Sequence, residues 1–291
     1  MNVKTYSLGE LLDHSFPAEH TLIDEGLLPT NGIMVIGGPP KAYKSFVMGT
    51  VIMHLACGTH LFGATRSNHG RHGAVFNVSR PCRVLLFEQE IGEQDLQLRF
   101  RDVVAALSVQ HQHTIRQNVF THSCDHTIQL DTELGLGSLD GIIAETQPDV
   151  VCFDPLIEFH TSDENSTKDM SQVLRSLDHL REKHHFATII NHHTGKPSPD
   201  KHREGPDELR GNSVIFGKGD SYLMIKHLNK DSSIIRLDFT VRRGKPIESC
   251  QLRLNWNTLR AVHHGWGRKL AKGEETAKGD PENAISGSPA L

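Results

Sequence analysis

The sequence predicts an α/β fold: a central, mostly parallel sheet flanked by helices, with antiparallel strands towards the C-terminal end. Three observations carry that prediction. Short continuous apolar runs (Ile33–Ile36, Val84–Phe87, Val150–Phe153, Thr188–Ile190) alternate with segments of helical periodicity, as strands buried on both faces do. Several of these runs end on polar or acidic residues, the place where open α/β sheets bind ligands. After residue 220 the helical segments stop, and Ile234–Phe239 alternates as a half-buried strand.

The 291 residues suffice for one large domain, divided into a lead-in at 1–30, the main domain at 31–262, and a tail at 263–291. The tail is rich in Lys, Glu, Gly, Ala, Ser and Pro and is expected to be disordered. With 37% hydrophobic and 23% charged residues and no apolar run near the roughly 20 needed to span a bilayer, no membrane segment is expected. No basic region followed by an apolar core is seen near residue 1, and a cytoplasmic location is the expectation. Five scattered cysteines, none in a C-x-x-C pair, argue against a disulfide framework or a zinc site. The net charge of −4 excludes a basic nucleic-acid coat, so any DNA contact must be local.

In chain order, Leu8–Leu12 is a short amphipathic segment and Leu22–Pro29 a lead-in packed on the first core strand. Asn31-Gly32 signals a turn, and Ile33–Ile36 is that strand. It runs into Gly38-Pro39-Pro40-Lys41-Ala42-Tyr43-Lys44-Ser45-Phe46, followed by a helix, apolar nearly all round, that ends at Gly58. The stretch reads as a phosphate-binding loop with Tyr43 where the second glycine belongs. Backbone N–H groups at the helix start face phosphate oxygens, the Lys44 ammonium neutralises them, and the Ser45 hydroxyl suits Mg²⁺. Tyr43 costs little if its φ is negative and roughly 1–2 kcal/mol if φ must be positive.

Residues 59–82 read as an exposed loop whose Arg66, Arg71 and Arg80 are explained well enough as solvated charges. Val84–Phe87 is the next strand and ends in Glu88-Gln89-Glu90. A carboxylate there can orient and deprotonate the water that attacks a γ-phosphate. Glu90 is favoured for that role, and a helix N-cap is favoured for Glu88, since a helix follows from Gly92 through Leu107. Residues 111–127 read as polar and irregular, and Ile128–Leu130 as a short strand. A helix through Leu136–Ile143 leads to the strand Val150–Phe153, closed by Asp154, a Walker B arrangement in which the carboxylate serves Mg²⁺. An amphipathic helix from Ser166 or Thr167 to Lys183 precedes Thr188–Ile190, whose end carries Asn191-His192-His193-Thr194. Adjacent histidines on a strand point to opposite faces and do not share a metal readily. A Pro- and Lys-rich loop follows, then the Arg210-Gly211-Asn212-Ser213 segment, strands at Ser221–Ile225 and Ile234–Phe239 around a turn at Asp231-Ser232, and a last strand Leu252–Trp256.

In this order the motifs resemble the RecA-like P-loop ATPases, most closely the family of the hexameric plasmid replication helicase RepA, over about residues 20–258. The resemblance implies Lys44 and Ser45 on phosphates and Mg²⁺, Glu90 as catalytic carboxylate, Asp154 as the Walker B residue and His193 or His192 as γ-phosphate sensor. It implies that Arg210, and Arg242 or Arg243, with Arg243 preferred, reach a neighbouring subunit's site. Tyr43 and Asn212 depart from the family pattern. The implied function is an ATP-hydrolysing ring acting on single-stranded DNA. A recombination or repair ATPase, and a slow or inactive nucleotide-binding regulator, are the alternatives.

Overall fold

The computed structural model describes residues 5–15, 20–68, 71–123, 128–195, 213–228 and 233–267. Arg210, Asn212 and the turn at Asp231-Ser232 lie outside the described residues.

Thirteen described strands and seven α-helices follow in chain order. The helix α1 (Leu8–Asp13), strands β1 (Thr21–Ile23) and β2 (Leu28–Pro29) lead in. Next come β3 (Ile33–Gly38), α2 (Lys44–Cys57), β4 (Thr65–Asn68), β5 (Arg71–Ala74), β6 (Val84–Glu88), α3 (Glu93–Ala105), α4 (Val109–Asn118) and β7 (Val119–Ser123). The chain continues with α5 (Glu133–Thr146), β8 (Val150–Asp154), α6 (Thr167–His184), β9 (Ala187–His193) and α7 (Ser213–Lys218). It closes with β10 (Ser221–His227), β11 (Ile234–Val241), β12 (Cys250–Asn255) and β13 (Arg260–Trp266).

Among the described residues nine strands form one sheet, in the order β13-β12-β11-β10-β3-β9-β8-β6-β7. From β10 to β7 every pairing is parallel; from β10 to β13 every pairing is antiparallel. The α/β fold, its mostly parallel sheet and its antiparallel C-terminal strands are thus as the apolar runs predict. Alternate residues of the strands feed two cores, because successive side chains point to opposite faces. Met34, Ile36, Leu86, Cys152 and Ile189 meet α2 and the lead-in on one face. Ile33, Val35, Phe87, Phe153 and Ile190 meet α5 and α6 on the other. Phe87 stacks on Phe153 at 5.5 Å, and Phe159 packs edge-on to both.

Four local expectations fail. Residues 59–82 contain the β4–β5 hairpin rather than only loop. Residues 111–127 are not irregular throughout: α4 and the edge strand β7 occupy 109–123, held by Ile115 in a small core with Met53, Val103 and Leu107. Ile128–Leu130 is not a strand; Leu130 instead donates its N–H to the Phe159 carbonyl at 2.7 Å, and both apolar side chains are buried against α5 and α6. Leu252–Trp256 is not last, since β13 pairs with β12 and runs across the boundary drawn at 262.

Candidate active site

The parallel strands put four tips side by side. In the sheet, β3, β9, β8 and β6 are consecutive, Gly38 pairs with His193, and Glu88 pairs with Asp154. Two backbone bonds tie the tips beyond the ladder: Thr194 N–H to Gly38 O at 3.1 Å and Gln89 N–H to Asp154 O at 3.2 Å.

The loop from β3 to α2 turns through two left-handed residues, Lys41 (φ 63°) and Tyr43 (φ 63°, ψ 28°), so the unfavourable branch of the sequence argument holds for Tyr43. A Cβ residue in that conformation is disfavoured by roughly 1–2 kcal/mol. Its ring lies edge-on to Trp256 at 5.1 Å, His227 at 5.5 Å and Phe46 at 5.9 Å. Such aromatic pairs contribute about 0.5–1.5 kcal/mol each, which is enough to offset the backbone cost.

Lys44 begins α2 and is 7% exposed. Its ammonium donates to Gly38 O (3.2 Å), Pro39 O (3.1 Å) and His193 Nδ1 (3.0 Å). An ammonium has no acceptor, so Nδ1 accepts and a neutral His193 carries its proton on Nε2. Burial lowers the Lys44 pKa, against the opposing pull of Asp154 and Glu90. The three residues at the β9 tip take different partners: Asn191 donates to Asp154 Oδ1 at 2.6 Å, His192 Nδ1 lies 3.8 Å from Glu164, and His193 meets Lys44.

Asp154 is 4% exposed. Burial raises its pKa, while hydrogen bonds from Asn191 and Ser45 and the charges of Arg99 and Lys44 pull it down. A buried carboxylate in contact with a P-loop hydroxyl is a hard-oxygen pair of the kind Mg²⁺ takes, with water and phosphate completing its shell. Among the described residues no group of three or more His, Cys, Asp or Glu could hold a metal ion, so Ser45 and Asp154 fit a shared protein–phosphate site rather than an all-protein cage.

Glu88 is buried, and burial followed by the Asp154 charge pushes its pKa up to about 7. Its Oε1 accepts from the N–H groups of Glu90 (2.8 Å) and Ile91 (3.3 Å). It therefore shapes the turn that presents Glu90, and the α3 N-cap is Gly92 instead. Glu90 faces solvent at the mouth of the site; partial desolvation, then Asp154, raise its pKa, with Lys44 and Arg99 opposing.

Sequence reasoning missed Arg99. It lies on α3, where its charge acts on Glu88, Glu90 and Asp154 and its guanidinium stands 5.9 Å over the Phe46 ring. With Ser45, Glu88 and Asp154 it lines a cavity of about 30 Å³, room for one water. The available signal was a cation three residues after the buried Leu96 and next to Phe100.

Of the arginines expected to serve catalysis, the two described ones, Arg242 and Arg243, are not brought to this site. Val241 pairs with Ser221, and Ser221 with Met34, so Arg242 and Arg243 follow at the opposite end of the sheet from Gly38. Arg242 donates to the Gly217 carbonyl, and the Arg243 carbonyl abuts Gly26 in the lead-in. Arg210 lies outside the described residues.

A family model described as an AAA domain matches residues 3–199. No curated protein sequence matches the chain. Among solved structures, the ATPase domain of G40P superposes with a TM-score of 0.59 at 11% identity, over 87% of this chain and 94% of that one. A DnaB-like replicative helicase, solved in a study of its interactions with primase, superposes with a TM-score of 0.54 at 10% identity, over 80% of this chain and 57% of that one. At these identities the likenesses establish the RecA-like fold.

Proposed function

Since the chain belongs to the AAA domain family, we propose that it binds ATP with Mg²⁺ at Gly38–Phe46 and hydrolyses it, as a ring-forming motor on single-stranded DNA. The observation that carries the reading is the convergence of Lys44, Ser45, Asp154 and His193 on adjacent strand tips. The hexameric ring, the DNA and the helicase role are drawn from the motif order and from the DnaB-like helicase fold.

Each residue has a part in that reaction. Lys44 exchanges the Gly38 and Pro39 carbonyls and His193 for phosphate oxygens. Ser45 and Asp154 would hold Mg²⁺, which would neutralise charge on the phosphates. Glu90, its pKa raised and its backbone held by Glu88, orients the attacking water and takes its proton. His193, its Nδ1 given up by Lys44, donates to the γ-phosphate and reports its presence to the segment after β9. Arg210 and Arg243 serve a neighbouring subunit; mixing Arg243→Ala subunits with wild type then lowers activity more than dilution does.

ATP turnover measured with and without single-stranded DNA tests the reading. Lys44→Ala and Glu90→Gln are expected to lower turnover by about 10²–10³, the scale of losing one group that stabilises transition-state charge. DNA-stimulated turnover with strand displacement supports the helicase; stimulation without displacement supports a recombination or repair ATPase. The strained Tyr43 favours one second reading, a slow nucleotide-binding regulator, which stands if the wild type binds ATP tightly without turnover.

A further inference from the structure

Tyr43 immediately precedes the two residues that would meet phosphate and metal, so rotation about its backbone would swing both Lys44 and Ser45. Its carbonyl accepts the Val47 N–H at 3.1 Å, closing the first turn of α2, and its side chain makes no capping bond. Nothing in the backbone of a residue with a Cβ favours φ 63°; a free tyrosine relaxes to negative φ. What opposes that relaxation is the ring's seat. Trp256 follows β12, His227 ends β10, and Phe46 stands in the first turn of α2, itself edge-on to Trp256 at 5.6 Å. Two of the three anchors therefore belong to the antiparallel extension, which also brings Leu259 to the cavity beside Ser45 and Asp154.

We propose that Tyr43 is a positioning residue: clamped by Trp256, His227 and Phe46, its ring holds the phosphate loop in its nucleotide-ready shape, so the antiparallel strands set the affinity for ATP. The inference rests on the reading of this loop as an ATP site. A glycine here would reach the same φ without strain but would sample many other conformations, and ordering them would oppose binding. A preorganised loop acts on ground state and transition state alike, so its loss appears in KM and leaves kcat in place.

ATP binding by calorimetry and steady-state KM and kcat, on the full chain, test this. Tyr43→Ala keeps the Cβ strain without the anchor, and its Kd and KM for ATP are expected to rise by about tenfold or more, with kcat within about twofold. Trp256→Ala, outside the loop altogether, is expected to shift Kd in the same direction by a smaller factor. The double variant is expected to lose less affinity than the sum of the two single losses, because both remove the Tyr43–Trp256 contact. Tyr43→Phe, which keeps the ring, is expected to restore the wild-type Kd. Wild-type affinity in Tyr43→Ala or Trp256→Ala, or tighter binding in Tyr43→Gly than in wild type, overturns the inference alone. Failure of the wild-type protein to bind ATP overturns the reading of the site and the inference with it.

Discussion

The two halves of the large sheet are built from differently patterned strands. In the parallel half, β3, β6 and β8 are buried at every position. In the antiparallel half, exposed or half-buried residues recur along β11 and β12. A strand buried on both faces has no place for polar side chains except its ends, so Glu88, Asp154 and Asn191–His193 collect at the C-terminal ends of adjacent strands. A half-solvated strand distributes polar residues along its length, as Arg236 and Asp238 do on β11, and concentrates them nowhere. The parallel half thus carries the chemistry, and the antiparallel half braces the loop through Trp256 and His227.

The strongest way to break that comparison is to ask whether the halves unfold separately. Phe153→Ala empties a site between Phe87 and Phe159 in the parallel half and is expected to destabilise the protein by about 3–5 kcal/mol. Leu252→Ala, in the core of the antiparallel half, is expected to cost about 2–5 kcal/mol. Since Leu252, Leu237 and Ile235 share one core with Met34 and α2, both variants should lower a single cooperative urea transition. Two transitions in Leu252→Ala would show the antiparallel half to be a separate folding unit.

How much was legible from the sequence follows the same division. Strands buried on both faces announce themselves as continuous apolar runs, and their polar ends announce the site, so β3, β6, β8 and β9 and the residues at their tips could be read directly. Strand β13, with His263, His264 and Gly265 among its seven residues, and α4, with His111, Gln112, His113 and Thr114 in a row, offer too few apolar positions to show a period. Arg99 and the Tyr43–Trp256 contact were hidden for another reason. They depend on which elements become neighbours: the role of Arg99 appears only once α3 packs beside Glu88 and Asp154, and the Tyr43–Trp256 contact spans more than 200 residues.

A smaller effect sharpens how the halves are joined. His54 lies in α2, 1% exposed, and the Phe62 N–H points at its Nε2 at 3.1 Å. Nε2 must therefore accept, and the neutral ring donates from Nδ1 to Thr59 Oγ1 at 2.9 Å. Burial, then the charge of Arg260 on β13 and then His60 and His111, holds its pKa well below the usual histidine value. The unfolded chain takes up this proton near pH 6.5 and the folded chain resists it, so the stabilisation is present above about 6.5 and is lost as pH falls through the folded value. Urea midpoints measured from pH 7.5 down to 5 should fall less steeply in His54→Gln than in wild type. Parallel slopes would mean that His54 is protonated in the fold without cost.

The smallest expected effect lies at the end of the parallel half away from the site. Arg80 bonds Asp149 at 2.8 Å, joining the segment before β6 to the entry of β8, with the arginine side chain 43% exposed. Solvent screens that pair, and holding a long side chain in one geometry costs entropy, so the ion pair contributes at most about 1 kcal/mol. Asp149 also accepts the Arg83 N–H at 2.7 Å through its other oxygen, and that bond fixes backbone rather than a mobile side chain. Arg80→Ala should therefore shift the urea midpoint little, and less still at high salt, whereas Asp149→Ala should cost more because it leaves the Arg83 N–H without its carboxylate. Equal losses in the two variants would show that the charge pair, and not the backbone bond, secures this end of the sheet.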